Sequence, residues 1–142
     1  SRTTYAAGIQ YRHIEGLWSN VFDWCDGIYF SGANVYCIKN PASFSDTSGG
    51  TNIGTRPTSG GWISAWSIPS VSGFEYALYP SAVAGSESTY VCDYCYYDAS
   101  GVVLYVGGDC NQSQYYGAFF LSGDYAASNA YASIGCRLQK LP

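Results

Sequence analysis

The chain contains no methionine, a single histidine and few charged side chains: six basic and ten acidic residues among 142, for a net charge of -4. A nucleic-acid partner is not expected, because proteins that bind a phosphate backbone usually present a basic face. No apolar run approaches the ~20 residues of a membrane-spanning helix, and no charged-then-apolar leader opens the chain. We therefore expect no membrane insertion. The absence of an initiator methionine also predicts that the chain is a fragment of a longer protein.

Aromatic residues, by contrast, are abundant. There are 15 tyrosines, 4 tryptophans and 6 phenylalanines, so the aromatic share is 18% and the hydrophobic share 47%. This composition is far too apolar for intrinsic disorder, and the length suits one hydrophobic core. The sequence has no repeat at a solenoid period and no internal boundary. It therefore predicts a single domain over residues 1–142.

Helical periodicity is confined to the first quarter of the chain. From Arg12 to Cys25 the apolar residues form the stripe of an amphipathic helix, and Gly27 is placed to end it. Ile28–Ile38 is predicted as either a strand pair or a strand with a turn at Gly32-Ala33-Asn34, and Asn40–Gly61 has the composition of a loop. Further strands are predicted at Thr89–Tyr97, Val102–Val106, Ala118–Leu121 and Ser133–Leu138. The predicted class is α+β, with one or two N-terminal helices and a mostly antiparallel sheet.

Metal, redox and acid/base chemistry has little support in the sequence. Cys92 and Cys95 form a C-x-x-C pair, but a zinc site needs a second close pair, and the flanking tyrosines predict a strand rather than the helix start of a redox site. His13 is the only histidine, and Asp23 and Asp26 are interpreted as a solvated face or capping groups. Whether any disulfide forms is left open; the six cysteines are Cys25, Cys37, Cys92, Cys95, Cys110 and Cys136. We therefore expect no metal, no cofactor and no enzymatic activity.

The segment Asp109–Cys136 has an unusual composition. It lacks Lys, Arg, Glu, Trp, Met, Thr, Val, His and Pro, and it consists mainly of Asp, Cys, Asn, Ser, Tyr, Gly, Ala and Phe. An Asn codon holds two adenines and a pyrimidine, and replacing its adenines gives Tyr, Asp, Ser, Cys, Phe and Ala among others, but never Lys, Glu, Gln, Trp or Met. Gln112 and Gln114 are the exceptions to this set. The composition favours either a randomised binding surface, since antibody paratopes use similar residues, or a loop with aromatic anchors.

The segment Val103–Leu138 resembles the variable region of proteins diversified by retroelements, in which an error-prone reverse transcriptase replaces template adenines. The matching fixed positions are Gly107-Gly108, Gly117-Ala118-Phe119, Ala127-Ser128, Ile134-Gly135 and Arg137-Leu138. Upstream, Pro80–Tyr97 and Gly16–Gly27 look like earlier parts of the same family. The second of these also resembles the G-N-V-W-E-W-C motif of the formylglycine-generating enzyme-like group of C-type lectin folds.

The resemblance implies a C-type lectin fold with a loop-rich display surface and a variable region at about 103–138. It implies a hypervariable ligand-binding domain for attachment of a phage tail to a host, or a bacterial surface adhesin of the same family. The expected partner is a protein or glycan receptor on a target cell surface, with homo-oligomers or attachment to a larger virion or surface protein left open. The positions expected to vary and bind ligand are Asp109, Cys110, Asn111, Ser113, Tyr115, Tyr116, Ser122, Asp124, Tyr125, Asn129, Tyr131, Ser133 and Cys136.

Four other functions compete with this interpretation. Formylglycine-generating enzymes use two cysteines, and Cys136 could pair with Cys92 or Cys110 by analogy, but fold analogy alone does not carry activity. A calcium-dependent lectin needs several converging oxygens, for which Asp109, Asp124 and Asn129 are candidates without any E-P-N-like cluster. Exposed tyrosines could bind sugars without calcium. A fixed structural or assembly module would also present an aromatic patch, but it would not tolerate randomisation.

Overall fold

Strands make up almost all of the regular structure. The computed structural model describes residues 10–11, 14–15, 21–89, 91, 93–98, 102–109, 115 and 117–135. The strands are β1 (Gln10–Tyr11), β2 (Ile14–Glu15), β3 (Phe22–Ser31), β4 (Asn34–Cys37), β5 (Thr51–Thr55), β6 (Gly61–Ser67), β7 (Tyr79–Val83), β8 (Tyr94–Tyr97), β9 (Val103–Val106), β10 (Leu121–Tyr125) and β11 (Ile134–Gly135). The helical residues of this part of the chain form one short 3-10 turn, Pro41–Ser43.

The predicted α+β class is therefore wrong. The described residues of the segment Arg12–Cys25 do not form the expected N-terminal helix: Ile14–Glu15 forms β2, Val21 is a bend, and β3 begins at Phe22. The described residues contain no α-helix, so the expected C-type lectin fold with one or two N-terminal helices is wrong as well. The physical reason is that β3 gains ladders on both sides, from β4 and β9, which a solitary helix could not match.

The main sheet has nine strands, and most of them run antiparallel. Eight follow the order β5-β4-β3-β9-β10-β8-β6-β7, and β11 adds to β3 beside that path. The pairs β8–β10 and β3–β11 are parallel. β1 and β2 form a separate two-stranded antiparallel sheet. Strands from distant parts of the chain are neighbours in this order. At the centre of the sheet β3 lies beside β9, and β9 lies beside β10.

The hairpin between β3 and β4 follows directly from its sequence. Phe30 pairs with Val35 and Ser31 with Asn34, which leaves a two-residue turn. Gly32 occupies this turn with φ +58, a left-handed conformation that glycine adopts without steric cost. Of the two predicted alternatives the strand pair is observed, and its turn is one residue shorter than predicted, because Asn34 already belongs to β4. The predicted loop over Asn40–Gly61, however, also contains β5, which continues the sheet beyond β4.

The sheet curves until its two edge strands meet, so that the structure is a nearly closed barrel. The Tyr79 hydroxyl of β7 donates to the carbonyl of Ile53 in β5, at 3.4 Å. Gly54 leaves room for the tyrosine, because a Cβ at this position would collide with the Tyr79 hydroxyl. A single side-chain hydrogen bond thus joins the edges where a ladder of backbone bonds would complete a true barrel.

The interior of the curved sheet holds the main hydrophobic core. Its buried members are Phe30, Val35, Cys37, Ile53, Ile63, Phe74, Tyr79, Cys95, Tyr97, Leu104 and Leu121. Arg56 lies among them at 4% exposure, with its guanidinium 4.5 Å from the centre of the Phe30 ring and 4.7 Å from that of Tyr97. Its Nη2 donates to the carbonyl of Asp98 at 2.8 Å. Burial lowers the pKa of Arg56, and the ring faces and carbonyl compensate for lost water.

Candidate functional site

The central strands carry different side chains on their two faces. In β8, Cys95 and Tyr97 lie in the main core, and the alternate residues Tyr94 and Tyr96 face the other way. β9 behaves similarly, with Tyr105 on the outer side. Because successive side chains of a strand point to opposite faces, these strands build a second aromatic layer. We call this layer the aromatic face; its members are Phe22, Trp24, Trp62, Tyr94, Tyr96, Tyr105, Tyr115, Phe120, Tyr125 and Tyr131.

The rings of the aromatic face form a continuous series of contacts. At one end Trp62 stacks on Tyr115, and both meet Tyr94 edge-on, each pair with ring centroids 5.4 Å apart. The series continues through Tyr94–Tyr96, Tyr96–Phe120, Phe120–Phe22 and Phe22–Tyr105, with separations between 4.6 and 6.1 Å. Tilted and edge-on contacts of this kind stabilise beyond the area they bury, by about 0.5–1.5 kcal/mol each. The layer is therefore held in place by its own packing.

The other end of the series contains the tyrosines that reach solvent. Tyr105 contacts Trp24 at 4.4 Å and Tyr125 at 5.3 Å between centroids, and Tyr125 contacts Tyr131 at 5.6 Å. Tyr105 is 0% exposed and Tyr131 is 54% exposed, with Tyr125 between them. The buried ring of Tyr105 thus supports the half-buried ring of Tyr125 and, through it, the exposed ring of Tyr131. Aromatic rings that are held in place in this way supply contact area to a ligand at low entropic cost, as they do in the hot spots of protein interfaces.

A polar group stands among these tyrosines. Ser122 and Asp124 lie in β10, and the Ser122 hydroxyl donates to Oδ1 of Asp124. A register shift between Ser122 and Tyr125 brings Asp124 and Tyr125 to the same side, next to Tyr105. Burial, reinforced by the negative charge of Asp124, raises the pKa of Tyr105 to about 12 and raises those of Tyr96 and Tyr125. Ser122 pairs with Tyr105 across the β9–β10 ladder, so the Ser122–Asp124 pair lies on the same face of the sheet as Tyr105.

The segment around Phe119 is anchored to β8 by a buried carboxylate. Asp93, 8% exposed, accepts a hydrogen bond from the Phe119 backbone N–H at 2.9 Å. Burial raises the pKa of Asp93, and this hydrogen bond partly opposes the shift. A side chain at Gly117 would collide with the same carboxylate. The Tyr94 N–H also donates to the Tyr115 carbonyl at 3.2 Å, so Tyr115 is held against β8.

No family model, curated protein or solved structure matches the chain. The resemblance to retroelement-diversified proteins therefore stays a prediction. The assignment of a function rests on the aromatic face and on the sequence pattern.

The predicted ligand-binding positions that the structure describes lie on the aromatic face or beside it, but at different depths. Tyr131 is exposed; Tyr115, Asp124, Tyr125, Asn129 and Ser133 are half-buried; Asp109 and Ser122 are buried at 8% and 2% exposure. Asn129 donates through Nδ2 to the Tyr131 hydroxyl at 3.3 Å. Cys110, Asn111, Ser113, Tyr116 and Cys136 lie outside the described residues. Tyr125 thus lies against Tyr105, Tyr115 lies at the other end of the aromatic face against Trp62, and Ser122 donates a hydrogen bond to Asp124.

Sequence reasoning missed the part of the site that comes from outside the variable segment. Trp62, Tyr94 and Tyr96 complete one end of the aromatic face, and Trp24 supports the other. The signal available was the alternation of aromatic residues in β8, which places Tyr94 and Tyr96 on one face. Phe119, predicted as a fixed framework residue, has a ring 56% exposed, and it contacts Trp66 at 6.1 Å between centroids.

The residues considered above for metal, redox and acid/base chemistry lie in the following places. Cys25, Cys37 and Cys95 are free thiols, and burial raises the pKa of Cys25 to about 11 and of Cys95 to about 12. Cys92 and His13 lie outside the described residues, and Asp23 and Asp26 belong to strand β3. The described residues contain no group of three or more His, Cys, Asp or Glu side chains suited to a metal ion. Within the same residues, no helix has the length and apolarity needed to cross a membrane.

Proposed function

We propose that the chain is a ligand-binding display domain that recognises a protein or glycan receptor on a target cell surface through the aromatic face. Its variable region, about 103–138, is altered by retroelement-driven replacement of adenines. Phage attachment through a tail protein is the favoured setting, and a bacterial surface adhesin is the alternative. This proposal does not need the C-type lectin fold, because a nearly closed β-sheet offers an equally rigid support.

One observation carries the proposal most directly. Tyr115, Tyr125 and Tyr131, predicted as variable from sequence, each contact another ring of the aromatic face. Their neighbours Trp62 and Tyr105 come from strands and supply a fixed support. Exchangeable rings on a fixed aromatic base allow the ligand to change while the backbone stays the same. A few such rings supply most of the affinity of an interface.

Sequencing of the encoding locus and of sibling isolates tests the proposal. The expected result is a nearby near-copy of the segment encoding 103–138, with a reverse transcriptase gene, and differences confined to template adenines. Substitutions between isolates should then fall at Tyr115, Asp124, Tyr125 and Tyr131, and leave Gly117 unchanged. An invariant segment without a template copy would refute the diversified-binder proposal.

A fixed assembly module is the second candidate, supported by an exposed apolar group elsewhere. Ile68, Tyr76 and Leu78 are 65%, 66% and 51% exposed. Ser67 pairs with Tyr79 at the end of the β6–β7 ladder, so Ile68 and Leu78 follow side by side. Such residues favour association with another chain. Sedimentation of the purified domain, compared with an Ile68→Asn variant, would detect self-association through this group; a monomer at all concentrations in both proteins would count against it.

A further inference from the structure

We propose that Asp124 and the neighbouring rings of Tyr125 and Tyr131 bind a cationic ammonium group, so that the receptor recognised by this chain presents a positively charged nitrogen to them. This inference rests on the proposed function, because it names the ligand class for the same surface. The site consists of the Asp124 carboxylate and the rings of Tyr125 and Tyr131, and the buried ring of Tyr105 lies beneath them. The contacts described above position each of these four side chains.

The electrostatics of the site favour a cation over an anion. Ser122 pairs with Tyr105 across the β9–β10 ladder, and its hydroxyl donates to Asp124, so the carboxylate of Asp124 lies on the face of the sheet that holds Tyr105 and Tyr125. Tyrosine ring faces carry a negative quadrupole, which attracts ammonium groups at short range. A carboxylate beside several ring faces therefore attracts positive charge from two sources and repels phosphate or carboxylate ligands.

The described part of the chain supplies no counter-ion of its own at this place. Its basic residues are Lys39 and Arg56, and both are engaged with rings of the main core. Lys39 Nζ lies 4.4 Å from the centre of the Phe74 ring, and Arg56 lies between Phe30 and Tyr97. Neither side chain belongs to the aromatic face, which packs on the opposite side of the sheet.

A buried hydroxyl provides a second, independent sign of a ligand. Tyr105 is 0% exposed, and its hydroxyl has no hydrogen-bond partner among the residues that the structure describes. Because buried hydroxyl groups are usually hydrogen-bonded, an isolated one costs stability and calls for a functional explanation. Tyr105 pairs with Ser122, the hydrogen-bond partner of Asp124, so its side chain lies on the side of the sheet where the ligand would sit. A primary ammonium group at Asp124 could donate to this hydroxyl once the side chains that cover it move aside, whereas a quaternary ammonium group has no N–H donor and would be held by the carboxylate and the ring faces alone.

Choline and dimethylbutanol, its neutral carbon isostere, form the probe pair that tests the inference. Each is titrated into the isotope-labelled domain, and amide shifts are followed by NMR. We expect choline to bind at least about tenfold more tightly than the isostere, because only the charge differs between them. A lysine derivative with blocked termini forms a second arm, which distinguishes a primary from a quaternary ammonium; preference for either cation over the isostere supports the inference.

Two variants make the test specific. Asp124→Asn keeps the size and the contact with Ser122 but removes the charge, so the preference for choline should disappear. Asp46→Asn, at an exposed loop position outside the aromatic face, should leave the preference unchanged and controls for net charge. Equal binding of choline and isostere to the native domain, or a preference that survives Asp124→Asn, would overturn the inference. Locus sequencing is unaffected by either outcome, so failure of the cation site and failure of the proposed function remain distinguishable.

Discussion

The contact between Gly117 and Asp93 allows a sharp test of why the display segment needs fixed positions. In Gly117→Ala the new methyl group collides with the Asp93 carboxylate, which must move and release the Phe119 N–H. Hydrogen bonds to charged groups contribute about 1.5–3 kcal/mol, and overpacking costs about 1–3 kcal/mol. Because the two costs partly overlap, we expect the free energy of unfolding to fall by about 2–4 kcal/mol.

A double-mutant cycle separates this steric cause from a general loss of backbone freedom. In an Asp93→Ala background the methyl group meets no carboxylate, so Gly117→Ala should cost less than about 1 kcal/mol there. Gly32→Ala is the matched control, because a Cβ at Gly32 meets nothing within 4 Å and φ is +58. It should cost about 1 kcal/mol from backbone strain in either background. Urea unfolding followed by intrinsic fluorescence measures all of these values, and an equal cost of Gly117→Ala in both backgrounds would refute the reasoning.

Three further outcomes are expected. Because burial raises the pKa of Asp93 above its ordinary 3.8, its contribution to stability should be full below about pH 4 and lost as the pH rises; urea unfolding of Asp93→Asn should lack this dependence. Tyr79→Phe removes the hydrogen bond to the Ile53 carbonyl and should lower the free energy of unfolding by about 0.5–1.5 kcal/mol, whereas no change would show that the barrel edges need no such bond. At about pH 8, iodoacetamide should modify Cys25 and Cys95 only after unfolding, which peptide mass spectrometry detects, because burial keeps both thiols protonated; rapid labelling of the folded chain would contradict this.

Short-range patterns predicted the strands that have clear boundaries. Val102–Val106, flanked by glycines, corresponds to β9, and the turn at Gly32 joins β3 to β4. The predicted strand Thr89–Tyr97 contains β8 at its end. The strand predicted at Ala118–Leu121 lies later in the chain than expected, because β10 begins at Leu121 and continues to Tyr125. In these cases the apolar and turn residues alone indicate the local conformation, and only the ends depend on neighbours.

The helix prediction failed where local periodicity and long-range pairing disagreed. Phe22, Trp24 and Cys25 match a helical stripe, yet they also belong to a segment rich in aromatic residues, which suit a pleated surface. The pairing of β3 with β9, some 80 positions later in the chain, favours the strand over the helix. The aromatic face was predicted only in its variable half for the same reason. The positions of Trp62 and Tyr115 in the sequence do not indicate that their rings stack.

The position of β10 in the middle of the sheet has a consequence for the evolution of the display segment. It runs between β9 and β8, with Ser122 buried and with no room for a side chain at Gly123, where a Cβ would lie 2.9 Å from the Tyr97 ring. Under the proposed function, each new sequence must first complete this strand before it can meet a receptor. Variants that fail to fold are removed by proteolysis. The usable repertoire is therefore smaller than the codons allow, and selection for foldability precedes selection for binding.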